Sequence, residues 1–193
     1  MPVRRRHALA PALALALACG DDDAASSDAT SDGAVAREWR TVLDHAAWRI
    51  AEAAEDPFAD HRPPEDEIDC GVAGWLVESG ALEVDTLRCN YLTLVQPVLE
   101  DLTPETPMRL EFRHFDLIAP APATAHVAVQ LGDAIIWERE IQIPGPAMVF
   151  SEDALTAGVM APAGTPLYFH LHNHGQNTYT FASLEAELPV ASP

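Results

Sequence analysis

Apolar and polar residues alternate with a period of two along most of the chain after Cys70. Such alternation indicates strands that bury one face and expose the other. The predicted strands cover residues 75–78, 82–85, 91–95, 108–117, 124–131, 134–143, 167–172 and 178–188, with shorter extended runs near 147–150 and 156–161. Pro and Gly separate these runs at short intervals. The pattern predicts a mainly β protein in which residues 70–190 form an antiparallel β-sandwich or jelly roll.

Residues 36–56 have a different period. Trp39, Leu43, Ala46 and Ile50 recur at spacings of three and four residues, which predicts one amphipathic α-helix before the sandwich. Residues 57–69 are rich in Pro and in acidic side chains, and they are predicted to form a connecting loop.

The N-terminal region combines a basic start with a short apolar run. Arg4, Arg5 and Arg6 precede the Ala- and Leu-rich residues 8–18, and Cys19 follows directly. The run is shorter than the roughly 20 residues that a membrane-spanning helix needs, but it suits the core of a signal peptide. We therefore expect a signal peptide over residues 1–18 and a flexible Asp/Ala/Ser tether over residues 19–35.

The stretch Ala16-Leu17-Ala18-Cys19 resembles the lipobox of bacterial lipoproteins. The resemblance implies that Cys19 becomes the acylated N-terminus, so that a lipid anchors the protein in the cell envelope. Gly20 stands where some lipoproteins carry the Asp that retains them in the inner membrane, which favours the outer membrane. The same residues also suit an ordinary signal peptidase, which would leave Cys19 without a lipid.

The chain is strongly acidic, with a formal net charge of -19, and all 11 of its basic residues are Arg. A surface with this charge repels phosphate backbones, so nucleic acid is excluded as a partner. It also repels anionic headgroups, so contact with the membrane is expected through the acyl chains alone.

Two further cysteines, Cys70 and Cys89, bracket the first predicted hairpin. In an exported protein, such a lone pair most simply forms a disulfide. The alternative is that both sulfurs are ligands of a metal site.

The densest chemical motif is His170-Leu171-His172-Asn173-His174-Gly175. On a strand, His170 and His172 point to the same face and can chelate one metal ion, with His114 or His126 as a third ligand. Imidazole ligands suit Zn or Cu. The alternative is that these histidines only hydrogen-bond to nearby carbonyl groups.

Aromatic side chains suggest a second kind of site. Tyr91, Trp137 and Tyr179 lie on predicted strands, and Asn177 precedes Tyr179 closely. Aromatic rings beside amides are typical of sugar-binding sandwiches, although large rings on strands more often pack in a core.

Residues 70–188 contain the motifs Cys89-Asn90-Tyr91 and His170 to Gly175. With these motifs, the region resembles surface lipoproteins that carry a jelly-roll-like domain. That resemblance implies no particular activity, and the chain has no nucleophile elbow, P-loop or dinucleotide fingerprint. We therefore expect a non-catalytic, membrane-anchored binding domain whose ligand is a glycan, a peptide or an envelope protein. The alternative is a metal-binding protein or metalloenzyme built on the His-x-His strand.

Overall fold

The computed structural model describes residues 35–190, and these residues form two antiparallel sheets. The predicted signal peptide, most of the tether and Cys19 lie outside the described residues. The eleven strands of the described region are β1 Arg37–Thr41, β2 Arg49–Ile50, β3 Trp75–Glu78, β4 Ala81–Asp85, β5 Tyr91–Pro97, β6 Pro107–His114, β7 Ala123–Leu131, β8 Ala134–Ile143, β9 Met148–Thr156, β10 Pro166–Asn173 and β11 Thr178–Pro189.

The strands divide between a six-stranded and a five-stranded sheet. The six-stranded sheet has the order β3-β4-β11-β6-β9, and β1 pairs with the far end of the long strand β11. The five-stranded sheet has the order β2-β5-β10-β7-β8. The predicted antiparallel β-sandwich is therefore confirmed. Within residues 35–190, no helix is long and apolar enough to cross a membrane.

The core lies between the two sheets and follows the two-residue period of the strands. Phe112 on β6, Phe169 on β10 and Phe181 on β11 are buried, and the rings of Phe169 and Phe181 stack with centroids 5.3 Å apart. Each buried side chain of this size contributes about 1.5–3 kcal/mol to folding.

The helix predicted over residues 36–56 is wrong. Arg37–Thr41 form β1 along residues Glu185 to Pro189, and Arg49–Ile50 form β2 beside β5. Only the short 3-10 turn His45–Ala47 is helical there, and the Asp44 side chain caps it. Pairing with strands far along the chain supplies the backbone hydrogen bonds, which overrides the weak preference for helix. The sandwich therefore begins before the predicted boundary at residue 70.

Two other predictions concern the strands and the cysteines. Residues 148–156 form one continuous strand, β9, where two short runs were predicted, because β6 pairs with it along its length. The Cys70–Cys89 disulfide is confirmed, and it joins the start of the β3–β4 hairpin to the residues before β5.

Residues 51–69, here called the strap, contain two short 3-10 turns, at Ala59–His61 and at Glu65–Glu67. Both ends of the strap are fixed to β5 or to the residue before it. The Ala51 amide donates to the Thr93 carbonyl at 2.9 Å, and the Asn90 side-chain amide donates to the Glu67 carbonyl at 2.8 Å. The predicted loop is thus an ordered segment held against the five-stranded sheet.

Replacing both Cys70 and Cys89 with Ser should lower the free energy of unfolding by about 3 kcal/mol, because the open chain has more conformational freedom when unfolded. Guanidinium titration measures this loss. Reduction of the unchanged protein serves as the control and should give a similar loss. Equal stability of the oxidised protein and the double variant would contradict the prediction.

Candidate metal centre

The outer face of the five-stranded sheet carries three of the seven histidines of the described region, on β7 and β10. On β10, Phe169 and Leu171 belong to the core, so the alternation turns His170 and His172 toward the opposite face. His126 on β7 lies directly opposite His172 in the sheet register, which places it on the same outer face.

A third element brings another histidine to this face. The strap lies over it and carries His61, and one ring nitrogen each of His61, His126 and His170 lie within 4.8 Å of one another. These three residues are called the three-histidine centre below. His61 is not among the predicted ligands, because its segment has no strand pattern that relates it to β7 or β10.

His170 is fully buried, and its two ring nitrogens have different surroundings. Its Nδ1 lies 2.9 Å from the Thr93 hydroxyl, whereas its Nε2 is buried without any hydrogen-bond partner. A buried nitrogen without a partner costs free energy, so buried polar atoms are rarely left in this state.

His126 shows the same division. Its Nε2 lies 2.7 Å from a carboxylate oxygen of Glu138 on β8, and its Nδ1 is buried without a hydrogen-bond partner. Because a carboxylate only accepts, Nε2 carries the hydrogen, and in the neutral ring Nδ1 then presents a lone pair. Histidines that ligate metals commonly have their other nitrogen held by a carboxylate or a similar group.

The spacing of the three-histidine centre is close to that of a metal site. Zinc lies about 2.0–2.1 Å from imidazole nitrogen, so two such ligands on a tetrahedral ion are about 3.4 Å apart. The three nitrogens lie within 4.8 Å of one another, so small side-chain shifts would bring all three into contact with one ion.

Electrostatic interactions keep the buried imidazoles of β10 uncharged. Burial lowers the pKa of His170 well below its ordinary value, and the neighbouring rings of His126, His172 and His61 lower it further. Burial, with His174 next in size, lowers the pKa of His172 to about 4. Uncharged imidazoles are the form that binds metal ions.

A buried carboxylate holds the strap over this face. The Tyr91 hydroxyl donates to Asp56 at 2.7 Å, the Phe58 amide donates to Asp56 at 2.9 Å, and Arg62 forms an ion pair with it at 3.3 Å. Phe58 in turn stacks on His170, with ring centroids 4.3 Å apart. These contacts fix the part of the strap that carries His61. Burial and the Asp56 carboxylate raise the pKa of the Tyr91 hydroxyl.

The structure corrects the predicted role of His114 as a third ligand. His114 lies on β6 in the other sheet, where its ring packs near Phe150 and Tyr179 and its Nδ1 donates to the Phe115 carbonyl at 2.8 Å. The core separates it from β10. His172, the second histidine of the predicted chelate, lies beside the three-histidine centre and is not one of its three members.

The predicted sugar-binding residues do not form a surface site. Tyr91, Trp137 and Tyr179 are each at most 3% exposed, so none presents a ring face to a ligand. Asn177 lies in the turn before β11, and its side chain donates to the Asp116 carbonyl at 2.5 Å. Trp137 and Tyr179 pack in the core because their strands turn them inward, whereas Tyr91 lies opposite His172 on the outer face and is covered by the strap. Binding of a glycan, a peptide or an envelope protein stays a prediction without a located site.

Comparison with known proteins gives similarity to solved structures alone, since no family model and no curated protein matches the chain. The K3 adhesin domain of Lys-gingipain from Porphyromonas gingivalis W83 aligns with a TM-score of 0.43 and 11% identity, over 78% of this chain and 99% of that domain. A carbohydrate-binding module, CBM4, aligns with a TM-score of 0.36 and 14% identity, over 74% of this chain and 86% of the other. At these TM-scores, the similarities assign no ligand and no activity to this chain.

The metal-free protein should lose stability as the pH falls below about 6.5. In the unfolded chain, His170 and His172 take up protons near their ordinary pKa of about 6.5, whereas the folded protein resists protonation of both. For His172 the loss continues until the pH approaches its folded-state pKa of about 4. Thermal unfolding in the presence of a chelator, at pH 7.5 and at pH 5, measures the effect.

The matched control for this pH dependence is His172→Asn. Between pH 7.5 and pH 5, the melting temperature of this variant should fall by about 3 °C less than that of the unchanged protein. An identical fall in both proteins would show that His172 does not contribute to the pH dependence.

Proposed function

We propose that this protein binds one transition metal ion, Zn(II) or Cu(II), at the three-histidine centre. The observation that carries the proposal is the pairing of roles within His126 and His170. In each ring one nitrogen is held by a hydrogen bond and the other is buried and unpartnered, and one nitrogen of each ring lies within 4.8 Å of a nitrogen of each of the other two histidines. A metal ion would satisfy both unpartnered nitrogens at once.

The ligand atoms of the three-histidine centre favour a transition metal ion. Its three ligands are imidazoles, which suit Zn, Cu and other late transition metals, whereas Ca²⁺ and Mg²⁺ prefer oxygen ligands. The net charge of -19 also raises the local concentration of any cation near the surface.

We propose binding and not catalysis as the role of the centre. Three protein ligands leave one position of a tetrahedral ion for water or an external ligand, and His61 is the exposed member of the centre. The space around His170 is narrow, however. Phe58 stacks on one face of the ring, and the Tyr91 ring lies edge-on at 5.1 Å. A small ligand fits such a position better than a large substrate does.

The second part of the proposal concerns location. The lipobox-like residues around Cys19 support a lipid anchor in the cell envelope, with the outer membrane favoured by Gly20. The sandwich would then display its metal centre at a membrane surface, in a compartment where disulfides such as Cys70–Cys89 persist.

Metal content tests the first part of the proposal directly. After dialysis against Zn(II) or Cu(II) and then against buffer, elemental mass spectrometry of the protein should find about one ion per chain, since the centre holds a single ion. His170→Ala should abolish retention. His114→Gln, which changes a buried histidine on the other sheet, should retain the ion. Absence of metal from the unchanged protein would disprove the function.

Glu138 should tune the affinity through His126. Glu138→Gln removes the charge that holds Nε2–H, and the metal affinity should fall by about 10- to 100-fold. Glu140→Gln is the matched control, because Glu140 lies opposite His126 in the register and makes no hydrogen bond to it. Competition titration with a chelator measures both variants. Equal losses in the two would show a general effect of surface charge.

Acylation of Cys19 predicts that the protein from its native host incorporates labelled palmitate and partitions into the detergent phase of a Triton X-114 extract. Cys19→Ser should lose both properties, because only a thiol forms the thioether to the lipid. Palmitate labelling of the Cys19→Ser variant would contradict this assignment.

A further inference from the structure

Two histidines beside the three-histidine centre have no role in it. His172 is the penultimate residue of β10, and His174 follows in the turn toward β11. Their ring centroids are 4.6 Å apart, with an angle of 56° between the ring planes. These two residues are called the histidine pair below.

The turn that carries the histidine pair is rigid. The Asn173 side chain donates to the Gly175 carbonyl at 2.6 Å and accepts from the Tyr179 hydroxyl at 3.0 Å. The Gly175 backbone lies against Ile143 so closely that a Cβ atom there would approach the Ile143 side chain to 2.7 Å. These contacts hold the backbone on either side of His174 in place.

Exposure decreases along the histidines of this face. His174 is exposed, His172 and His126 are partly buried, and His170 is fully buried. His172 lies directly opposite His126 in the register of β10 and β7. The histidine pair therefore includes the most exposed of these residues, and His170 is the most buried ligand of the centre.

Other approaches to His170 are covered. The Phe58 ring stacks on it from the strap, the Tyr91 ring lies against it from β5, and the Thr93 hydroxyl contacts its Nδ1. The rings of His126 and His61 lie 5.3 and 6.4 Å from the His170 ring, and the exposed His61 and the partly buried His172 stand nearer to solvent. The His170 ring thus has other imidazole rings as its neighbours on this face.

We propose that the histidine pair is a second, solvent-facing metal site that captures the ion weakly and passes it to the three-histidine centre. The inference rests on the proposed metal function. Each step is a ligand exchange without electron transfer. The hydrated ion loses water as the two imidazole nitrogens bind, and it leaves them as nitrogens of the centre replace them. Two imidazoles hold an ion less tightly than three, so the transfer runs inward.

The experiment measures how fast the protein loads Cu(II), compared with how tightly it holds the ion. Stopped-flow absorption follows the copper band after mixing with Cu(II) chloride, and chelator competition gives the dissociation constant. In the double variant His172→Asn/His174→Asn we expect one ion per chain and an unchanged dissociation constant. Its loading rate constant should be about tenfold lower than in the unchanged protein, since association is slowed without loss of final ligands.

Gln176→Ala supplies the matched control, because it changes an exposed side chain in the same turn and retains both histidines. It should load at the rate of the unchanged protein, and thermal unfolding should show that all variants are folded. An unchanged loading rate in the double variant would overturn the second site. Loss of the bound ion in that variant would also overturn it, since His172 would then be a permanent ligand. Failure of the unchanged protein to bind copper would instead disprove the proposed function.

Discussion

The arrangement of this protein depends on the two-residue alternation of β10 at the centre of the five-stranded sheet. Hydrogen bonds to β5 and β7 on its two sides fix its register, and Phe169 is locked against Phe181 of the opposite sheet. With the inward residues fixed, the outward direction of His170 is fixed as well. A shift by one residue would move the imidazole into the apolar core and the phenyl ring under the strap, which makes the register unambiguous.

The strap depends on a buried charge. Asp56 is removed from water, which is costly for a carboxylate unless other groups satisfy it. Here a hydroxyl, a backbone amide and a guanidinium group do so, from Tyr91, Phe58 and Arg62 respectively. Removing one partner of such a network leaves an unsatisfied charge and costs more than the pair contributes when intact. The network therefore makes the position of the strap, and of His61 on it, highly specific.

The histidine-rich face contrasts with the rest of the molecule. The chain is strongly acidic, yet its outer β10 face gathers imidazoles that burial and mutual repulsion keep uncharged. Carboxylates in the described region enter this face in two supporting roles. Glu138 orients His126, and Asp56 holds the strap. Such a division leaves the ligands themselves all nitrogen, which is the chemistry on which the proposed preference for Zn or Cu rests.

The amino-acid sequence is enough to predict the antiparallel sandwich, the Cys70–Cys89 disulfide and the shared face of His170 and His172, because all three follow from local periodicity or simple pairing. It also placed His126 among the candidate ligands. The tertiary structure makes strands of Arg37–Thr41 and Arg49–Ile50, because their hydrogen-bond partners lie far away on β11 and β5. It likewise separated His114 from β10 by the core, buried Tyr91, Trp137 and Tyr179, and brought His61 to the centre. The position of a side chain on a strap depends on contacts such as the one between Asp56 and Tyr91, which no spacing along the chain encodes.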